Sequence, residues 1–384
     1  MSSTRIFKIL TDEAEPNVTT RVKSNTGPEF IVFIDRLSLP VLPERDVLNK
    51  GLDSLYSTMM LSNDGAWSEK FTELLCEFTG RKHCILFSSA STAIDNLLFY
   101  YRDRVVSACP YTWVTSNGSV NRHLQRVHWF DVLADSPIAD FNALIHSNAW
   151  ESTEVVFSTH VYGASAQPNV LDDLERSGKI ILFDGAHALG VTLESQSLLK
   201  KGAASVVSFH PTKGVTACEG GAILTDNAKI ASDLTHLSRP INMDGGFHPY
   251  STNTRMSELN AMFGYYSIVG LNNAINVRRR LWNEYQKNLG SLLFDQTANC
   301  VNSNYLYAIV RGPSTESIER METALKTTRI AHRRYFNDLG VSENIVGSQK
   351  NIKNWLSKTL AVPLHHRLTT NEVKQISDVI LSAV

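Results

Sequence analysis

The sequence has no long apolar run. None of its hydrophobic stretches approaches the ~20 residues that a helix needs to cross a bilayer. Its first residues, Met-Ser-Ser-Thr-Arg-Ile-Phe-Lys, lack the hydrophobic core of a secretion signal. We therefore expect neither a membrane partner nor export.

The sequence also lacks a marked excess of either positive or negative charge. The 37 lysine and arginine residues are balanced by 38 aspartate and glutamate residues, which leaves a formal net charge of −1. Proteins that bind nucleic acid usually present a basic surface. The charge balance therefore predicts no nucleic-acid partner.

Cysteine pairs and metal-ligand motifs are missing too. The five cysteines are odd in number and lie far apart with no Cys-x-x-Cys pair, a pattern typical of reduced thiols in a cytoplasmic protein. No His-Glu-x-x-His motif occurs, and the pair His365 and His366 has no acid beside it. We expect a cytoplasmic protein without a metal site.

Strand-like apolar runs alternate with helix-like segments over most of the 384 residues. The runs lie at residues 84–87, 105–109, 128–131, 155–160, 180–184, 205–209 and 222–225. Such alternation predicts an α/β fold with a mostly parallel, mixed sheet in a large domain. A smaller α+β C-terminal domain is expected to contain a long helix at 256–285, strands near 305–310, 330–335 and 360–363, and a final helix from residue 371.

A lysine follows one of these strands. The segment 205–221 reads Ser-Val-Val-Ser-Phe-His-Pro-Thr-Lys-Gly-Val-Thr-Ala-Cys-Glu-Gly-Gly, an apolar strand that runs into a glycine-rich turn containing Lys213. A lysine reacts with an aldehyde only when its surroundings lower its proton affinity, and a loop at a strand end beside hydroxyl groups can do so. Taken alone, Lys213 fits a solvated surface charge better.

An aspartate ends the preceding strand. The segment 179–190 reads Lys-Ile-Ile-Leu-Phe-Asp-Gly-Ala-His-Ala-Leu-Gly, so Asp184 follows a buried run. Ligands bind at this edge of open α/β sheets, and pyridoxal phosphate needs a carboxylate beside its pyridine nitrogen. As an isolated residue, Asp184 fits a helix or turn cap better.

A serine-rich turn follows the strand at 84–87. Residues 88–93 read Ser-Ser-Ala-Ser-Thr-Ala and lead into a helix-like segment. The free N–H groups of a helix start attract phosphate, and Ser89 and Ser91 can add hydroxyl donors. Considered alone, the turn fits an ordinary helix cap better.

The three segments occur in the order phosphate turn, acid, lysine, and this order resembles the DegT/DnrJ/StrS family of pyridoxal-phosphate aminotransferases. Family motifs similar to Ser-Ser-Gly-Thr-Ala-Ala, Asp-Ala-Ala-His/Gln-Ala and Ser-Phe-His-x-Thr-Lys followed by Gly-Glu-Gly-Gly stand here at 88–93, 184–188 and 208–221. The resemblance implies the aspartate-aminotransferase-like fold, PLP fold type I. It implies a large PLP-binding domain at 41–252 and a long helix with a small domain at 253–384. Residues 1–40 are an extension that matches little in the family, and their role is unknown.

The resemblance also implies roles around the cofactor ring. Lys213 would carry pyridoxal 5'-phosphate, Asp184 would pair with its pyridine nitrogen, and His187 would lie near its ring hydroxyl. Trp113, in the family-like stretch 110–116, would stack on the ring. Without that stretch, Trp113 would be interpreted as an ordinary core residue.

The phosphate group of the cofactor has its own set of implied contacts. Ser91 and Ser208 would hold it, with Ser89, Ala90 and His210 as further cofactor-binding residues. Two positions depart from the family pattern, since Ala90 replaces glycine and Ser91 replaces threonine. Both changes keep a small residue and a hydroxyl.

Residues 253–261 resemble the family's Asn-Tyr-Arg-Met-x-Glu-x-Gln-Ala segment, which reaches the cofactor phosphate of the neighbouring subunit. This implies that Asn253 and Arg255 bind the cofactor across a homodimer with shared active sites. A simple salt bridge of Arg255 stays open as an alternative. Ser251 and Thr252 replace the family's Gly-Tyr, and the segment 239–248 is unlike the family's basic stretch.

The function implied is transfer of an amino group, with glutamate as donor, to the 3- or 4-keto group of a nucleotide-linked deoxysugar. This would serve deoxysugar and cell-surface polysaccharide biosynthesis. Arg333 or Arg334 would meet substrate phosphates or the donor carboxylate, although either arginine fits a structural salt bridge equally well. Two alternatives are a PLP-dependent sugar dehydratase, in which histidine replaces the lysine, and a non-catalytic binding or regulatory homologue. The nucleotide, the sugar and the stereochemistry are not specified by the sequence.

Overall fold

A computed structural model describes most of the chain. Backbone and side chains are described for residues 36–241, 246, 249–300, 302–342, 345 and 349–384, and the backbone alone for 21–23 and 30–32. Most of the predicted extension at residues 1–40 therefore lies outside the described residues, as does much of the segment 239–248. Two short strands of the extension, β1 (Arg21–Lys23) and β2 (Phe30–Val32), pair antiparallel.

A seven-stranded sheet forms the centre of the larger part of the molecule. The strands that follow in the chain are β3 (His83–Phe87), β4 (Val106–Ala108), β5 (Val127–Trp129), β6 (Val155–Thr159), β7 (Ile180–Asp184), β8 (Thr192–Leu193), β9 (Gln196–Ser197), β10 (Ala204–Ser208) and β11 (Gly221–Thr225). Strands β8 and β9 form a separate hairpin, and the others form the sheet in the order β3-β11-β10-β7-β6-β4-β5. Only β11 runs against its neighbours. The predicted mostly parallel α/β sheet is confirmed.

Helices cover both faces of this sheet. They are α1 (Arg45–Thr58), α2 (Ala66–Thr79), α3 (Ala90–Tyr100), α4 (Val114–His123), α5 (Phe141–Ile145), α6 (Pro168–Arg176), α7 (Ala228–Leu237), α8 (Glu258–Val269) and α9 (Leu271–Leu289), with 3-10 turns at Val161–Gly163, Leu198–Lys200 and Gly290–Leu292. In β3, Ile85 and Phe87 face one core cluster while Leu86 faces the other. This alternation shows that the sheet is buried on two sides.

A smaller α+β unit follows α9. It contains the antiparallel strands β12 (Ala308–Arg311) and β13 (Thr359–Val362) with the helices α10 (Thr315–Thr327), α11 (Lys350–Lys358) and α12 (Thr370–Leu381). Leu281, Tyr285 and Leu289 of α9 join its separate hydrophobic core. The predicted domain limits at residues 41, 252 and 253 stay a prediction.

The helix expected over 256–285 consists of two helices, α8 and α9, that meet at Gly270. A Cβ atom at Gly270 would lie 2.6 Å from Val41 Cγ1, and Ser267 Oγ donates a hydrogen bond to the Val41 carbonyl at 2.6 Å. The helix therefore breaks where a distant segment crosses it. The expectation of one uninterrupted helix was wrong because helical periodicity does not report such a crossing.

The strand predicted near residues 330–335 is not formed as a continuous strand. It is reduced to one antiparallel bridge between Arg333 and Ala361. The chain then turns at Phe336, whose φ of +63° lies in the left-handed region. This turn directs the segment to the cavity described below.

Among the described residues, no helix has both the length and the apolar character needed to cross a membrane.

Candidate active site

Three strand-to-loop junctions meet at one edge of the large sheet. The carboxyl ends of β7 and β10 are adjacent, with Asp184 opposite Val206 in a parallel register, and the start of α3 lies beside them. Together they enclose a cavity of about 200 Å³. The predicted residues that line it are Ser89, Ala90, Ser91, Trp113, Asp184, His187, Ser208, His210 and Lys213.

Asp184 is a buried carboxylate with a full set of donors. Ser116 Oγ donates to its Oδ2 at 2.9 Å, and the Ala186 N–H donates to its Oδ1 at 3.0 Å. Thr112 Oγ1 donates to Oδ2 at 3.4 Å and accepts a 2.6 Å hydrogen bond from Thr159 Oγ1. These contacts hold the carboxylate at the cavity wall in one orientation.

Lys213 reaches the same cavity from the loop after β10. Burial lowers its pKa to about 8, against the opposing effect of the Asp184 charge, and the charge of Arg333 lowers it further. Its Nζ donates a 3.3 Å hydrogen bond to the Tyr307 hydroxyl. The lowered pKa makes the amine easier to deprotonate near neutral pH, as an amine nucleophile or a general base requires.

The serine-rich turn forms the start of α3. Ser89 Oγ accepts from Thr92 N, and Thr92 Oγ1 accepts from Ser89 N, each at 3.1 Å, which makes a capping box. Within the described chain, the N–H groups of Ala90 and Ser91 have no hydrogen-bond acceptor. Ser89 thus serves the helix cap, while two N–H groups at the cavity are available to an anion.

A glycine allows the turn to pack against the sheet. A Cβ atom at Gly221 would lie 2.4 Å from the Ala90 nitrogen. The first residue of β11 therefore needs glycine to approach the start of α3 so closely. Ser91 Oγ also donates to Thr115 Oγ1 at 3.1 Å, which adds a second hydroxyl to this side of the cavity.

His187 is buried and held in one tautomer. Its Nδ1 accepts a 3.1 Å hydrogen bond from the Tyr162 N–H, so the proton of the neutral ring is assigned to Nε2. Burial, helped by the charge of Lys213, holds the pKa of His187 well below its usual value. His187 therefore presents a neutral N–H donor.

Trp113 and Arg333 form the outer part of the cavity. Trp113 is partly exposed at the start of α4, and the guanidinium carbon of Arg333 lies 5.2 Å from its ring centre and 5.3 Å from that of Tyr335. Arg334 turns away and pairs with Glu322 at 2.8 Å. Of the two candidate arginines, only Arg333 lines the cavity.

Ser208 and His210 lie at the end of β10. Ser208 Oγ accepts a weak 3.4 Å hydrogen bond from His210 N, and His210 Nδ1 contacts Thr212 Oγ1 at 2.8 Å. His210 Nε2 lies 3.6 Å from Glu219 on the outer side. Both predicted residues thus border the cavity next to Lys213.

Asn253 and Arg255 do not line this cavity. Arg255 pairs with Asp64 at 2.5 Å, and Asp64 also pairs with Arg239 at 2.9 Å. The backbone between them is close to the phosphate turn, since Ser88 N donates to the Thr254 carbonyl at 2.7 Å. The two residues therefore lie behind the turn of their own chain.

Several site residues escaped the sequence reasoning. They include Thr112, Thr115, Ser116, Thr159, Glu219 and Tyr307. The first three belong to the stretch 110–116, in which Trp113 was predicted to bind the cofactor. Ser116 lies three residues after Trp113, about one helical turn, and this spacing could have indicated it. Thr159 and Tyr307 carry no local signal, because their contacts with the site depend on packing of distant segments.

The residues present fit pyridoxal phosphate. They offer a buried carboxylate, two unused N–H groups flanked by hydroxyls, an exposed indole and a lysine of lowered pKa. In the part of the chain that the structure describes, no group of three or more metal-ligating residues occurs. A profile of the DegT/DnrJ/EryC1/StrS aminotransferase family matches residues 45–381. The chain belongs to this family. The fold is PLP fold type I, and the cofactor of this aminotransferase family member is pyridoxal 5'-phosphate.

Several characterised proteins are similar to this family member. A dTDP-4-amino-4,6-dideoxy-D-glucose transaminase of Shigella dysenteriae is 25% identical over 363 residues, which cover 90% of this chain and 97% of the relative. A UDP-4-amino-4,6-dideoxy-N-acetyl-beta-L-altrosamine transaminase of Campylobacter jejuni is 24% identical, over 82% of this chain and 88% of the relative.

Solved structures share the fold. DesI in the presence of its TDP-sugar product matches with a TM-score of 0.79 and 24% identity, over 91% of this chain and 93% of that one. GDP-4-keto-6-deoxymannose-3-dehydratase with a trapped PLP-glutamate geminal diamine matches with a TM-score of 0.78 and 17% identity, over 89% and 100%. Transaminases and a dehydratase thus have the same architecture.

Replacement of Asp184 by asparagine tests the buried carboxylate. We expect Asp184→Asn to lower the rate of amino transfer about 100- to 5000-fold, because removing one partner of the buried pair between Asp184 and the pyridine nitrogen costs roughly 3–5 kcal/mol. Steady-state kinetics with saturating cofactor measure the loss. Asp173→Asn, on an exposed side chain of α6, is the control and should keep the wild-type rate. If Asp184→Asn kept a rate close to wild type, an ion pair between Asp184 and the pyridine nitrogen would be excluded.

Proposed function

We propose that the protein transfers an amino group from glutamate to a keto group of a nucleotide-linked deoxysugar. The observation that carries the proposal is the convergence of Lys213, Asp184 and the unused N–H groups of Ala90 and Ser91 on one cavity. Two relatives are named as transaminases of 4-amino-4,6-dideoxy sugars linked to dTDP or UDP. These names favour C4 over C3 as the position of the keto group.

The residues around the cavity would hold the cofactor by complementary charge. The Asp184 carboxylate would keep the pyridine nitrogen protonated, and the bound ring would then supply an electron sink. The N–H groups at the start of α3, with the hydroxyls of Ser91 and Ser208, would hold the phosphate. Trp113 would cover one ring face, and His187 Nε2–H would donate to the ring oxygen.

Lys213 would serve as tether and as proton carrier. With its pKa lowered to about 8 by burial, the amine can lose a proton near neutral pH and can take one from the substrate carbon. Because Lys213 is buried, exchange of that proton with bulk water would be slowed. One side chain can therefore serve both halves of the transfer.

Arg333 supports an anionic substrate. Among the described residues no carboxylate pairs with it, and its guanidinium carbon lies 5.2 Å from the ring centre of Trp113 and 5.3 Å from that of Tyr335. A guanidinium that lines a cavity can bind a carboxylate or a phosphate through paired N–H donors. Both proposed substrates, glutamate and a nucleotide-linked sugar, carry such groups.

The dehydratase alternative has less support. The dehydratase structures share the fold at identities too low to transfer a reaction, and Lys213 stands where histidine would be expected in such an enzyme. A non-catalytic homologue has no support in the lysine, acid and hydroxyl set of the cavity. Cytoplasmic location and a role in cell-surface polysaccharide synthesis stay predictions.

A homodimer is part of the proposal. Asn253 and Arg255 lie outside the cavity of their own chain, as a residue that serves a neighbouring subunit would. An apolar patch near them consists of the exposed side chains of Met60, Leu61 and Leu259, whose backbones are joined by the hydrogen bond from the Glu258 N–H to the Leu61 carbonyl. Exposed patches of large apolar side chains usually mark interaction sites. A second copy of this chain would cover the patch and bring Arg255 to the partner's cavity.

Spectroscopy and peptide mapping test the central claim. We expect the purified protein to show a visible absorption band that glutamate bleaches and that 4-keto nucleotide sugars restore. Borohydride should attach the cofactor to the peptide containing Lys213. Lys213→Ala should lose the band and more than about 1000-fold of the activity, while Lys229→Ala, on an exposed lysine, should keep both. Normal transamination by Lys213→Ala would refute the proposal.

Substitution of Arg333 tests substrate binding, and substitution of the adjacent Arg334 is its control. Arg333→Gln should raise the KM for glutamate or for the nucleotide sugar about 10- to 100-fold, because a charge-assisted hydrogen bond contributes roughly 1.5–3 kcal/mol. Arg334→Gln removes only the ion pair with Glu322 and should leave both KM values within about twofold of wild type. Separate titration of the two substrates shows which one Arg333 binds. Equal KM values in both variants would contradict a binding role.

Mixing of inactive variants tests the shared site. Lys213→Ala and Arg255→Ala should each be impaired alone, and unfolding and refolding them together should restore about a quarter of wild-type activity. Half of the randomly formed C₂ dimers are mixed, and one of their two sites has both wild-type residues. If Arg255 serves its own chain, no site has both residues and mixing restores nothing.

A further inference from the structure

A segment of the smaller unit is pinned to the loop after Asp184. Asn304 Nδ2 donates to the His187 carbonyl at 2.8 Å and to the Leu189 carbonyl at 3.0 Å. Its Oδ1 accepts from Leu306 N at 3.1 Å, and its carbonyl accepts from the buried Arg278 Nε at 3.1 Å. These hydrogen bonds fix the segment to the site although it is remote in sequence.

Tyr307 follows directly in this segment and is fixed on several sides. Its carbonyl accepts a 3.0 Å hydrogen bond from the buried Gln296. Its ring packs edge-on against His187 at 4.8 Å, Tyr335 at 5.2 Å and Tyr162 at 5.5 Å between ring centres. The hydroxyl oxygen, which accepts from Lys213 Nζ at 3.3 Å, thus has a fixed place.

We propose that Tyr307 is a positioning residue for Lys213. Its hydroxyl holds the lysine amine at the cavity whenever the amine is not bonded to the cofactor, and so keeps it within reach of the substrate carbon. The inference rests on the proposed role of Lys213 as tether and proton carrier.

A phenol suits this role better than a carboxylate. Burial, together with the Tyr335 hydroxyl, holds the pKa of Tyr307 well above its usual value, so Tyr307 remains neutral. A neutral acceptor orients the amine and raises the lysine pKa by about one unit, whereas a carboxylate at the same place would raise it far more. Tyr307 therefore supplies geometry while the amine stays easy to deprotonate.

Other titratable groups also face this amine, and the test must separate their effects. They are Asp184, His187, His210, Glu219, Arg333 and Tyr335. None of them is removed when only the Tyr307 hydroxyl is deleted. Tyr307→Phe keeps the ring packing and isolates the contribution of one oxygen atom.

Trace acetylation of the full-length protein, freed of cofactor, measures the proton affinity of the amine. Acetic anhydride is added at a series of pH values, and mass spectrometry compares the peptide of Lys213 with that of the exposed Lys229. Wild-type Lys213 should reach half of its maximal labelling near pH 8. In Tyr307→Phe the midpoint should fall by about one pH unit, because the ammonium loses a charge-assisted hydrogen bond.

Two further variants serve as comparison. Tyr111→Phe removes a hydroxyl of the same aromatic cluster that contacts Tyr162 and not Lys213, and it should leave the midpoint unchanged. Tyr335→Phe removes the neighbour of the Tyr307 hydroxyl and should shift the midpoint less than Tyr307→Phe. A wild-type midpoint in Tyr307→Phe, or an equal shift in Tyr111→Phe, overturns the proposal.

Borohydride mapping of the holoenzyme separates this inference from the proposed function. If the cofactor is found on another lysine, the role of Lys213 fails and the role of Tyr307 fails with it. If the cofactor is found on Lys213 while the midpoint does not move in Tyr307→Phe, only the positioning role is refuted.

Discussion

The buried carboxylate of Asp184 is the constraint around which the site is organised. A charge in this position is tolerated only with donors around it, and the Ser116 hydroxyl, the Ala186 N–H and the Thr112–Thr159 pair supply them. These donors come from the end of β6, from the loops after β4 and β7, and from the first turn of α4. The carboxylate thus requires that all of them meet at one place, which is also where an electron-poor ring can be held.

Burial lowers the proton affinity of the basic groups in the same cavity. It lowers the pKa of Lys213 to about 8 and that of His187 well below its usual value. One environment therefore yields a carboxylate held by hydrogen bonds, a lysine that can be neutral and a neutral histidine donor. This division of charge is what an enzyme that moves protons around a cationic ring needs.

Much of the site could be predicted because its signals are local. A strand that ends in Asp184, a serine-rich helix start at Ser89 and Ser91, and a lysine in a glycine-rich turn each follow a strand, and parallel strands end at one edge of a sheet. The helix break at Gly270 and the short bridge at Arg333 could not be predicted in this way. Both depend on contacts with segments more than twenty residues away, at Val41 and Ala361.

The sequence alone determined the fold class, the order of the three motifs and the chemical types of the groups at the cavity, because side-chain chemistry and strand periodicity are properties of neighbouring residues. Tertiary structure decided which groups touch. The Tyr307 hydroxyl contacts Lys213, Arg333 and not Arg334 lines the cavity, and Arg255 pairs with Asp64. These outcomes depend on the packing of the smaller unit and distant loops against the sheet, and burial there sets the proton affinities on which the chemistry depends.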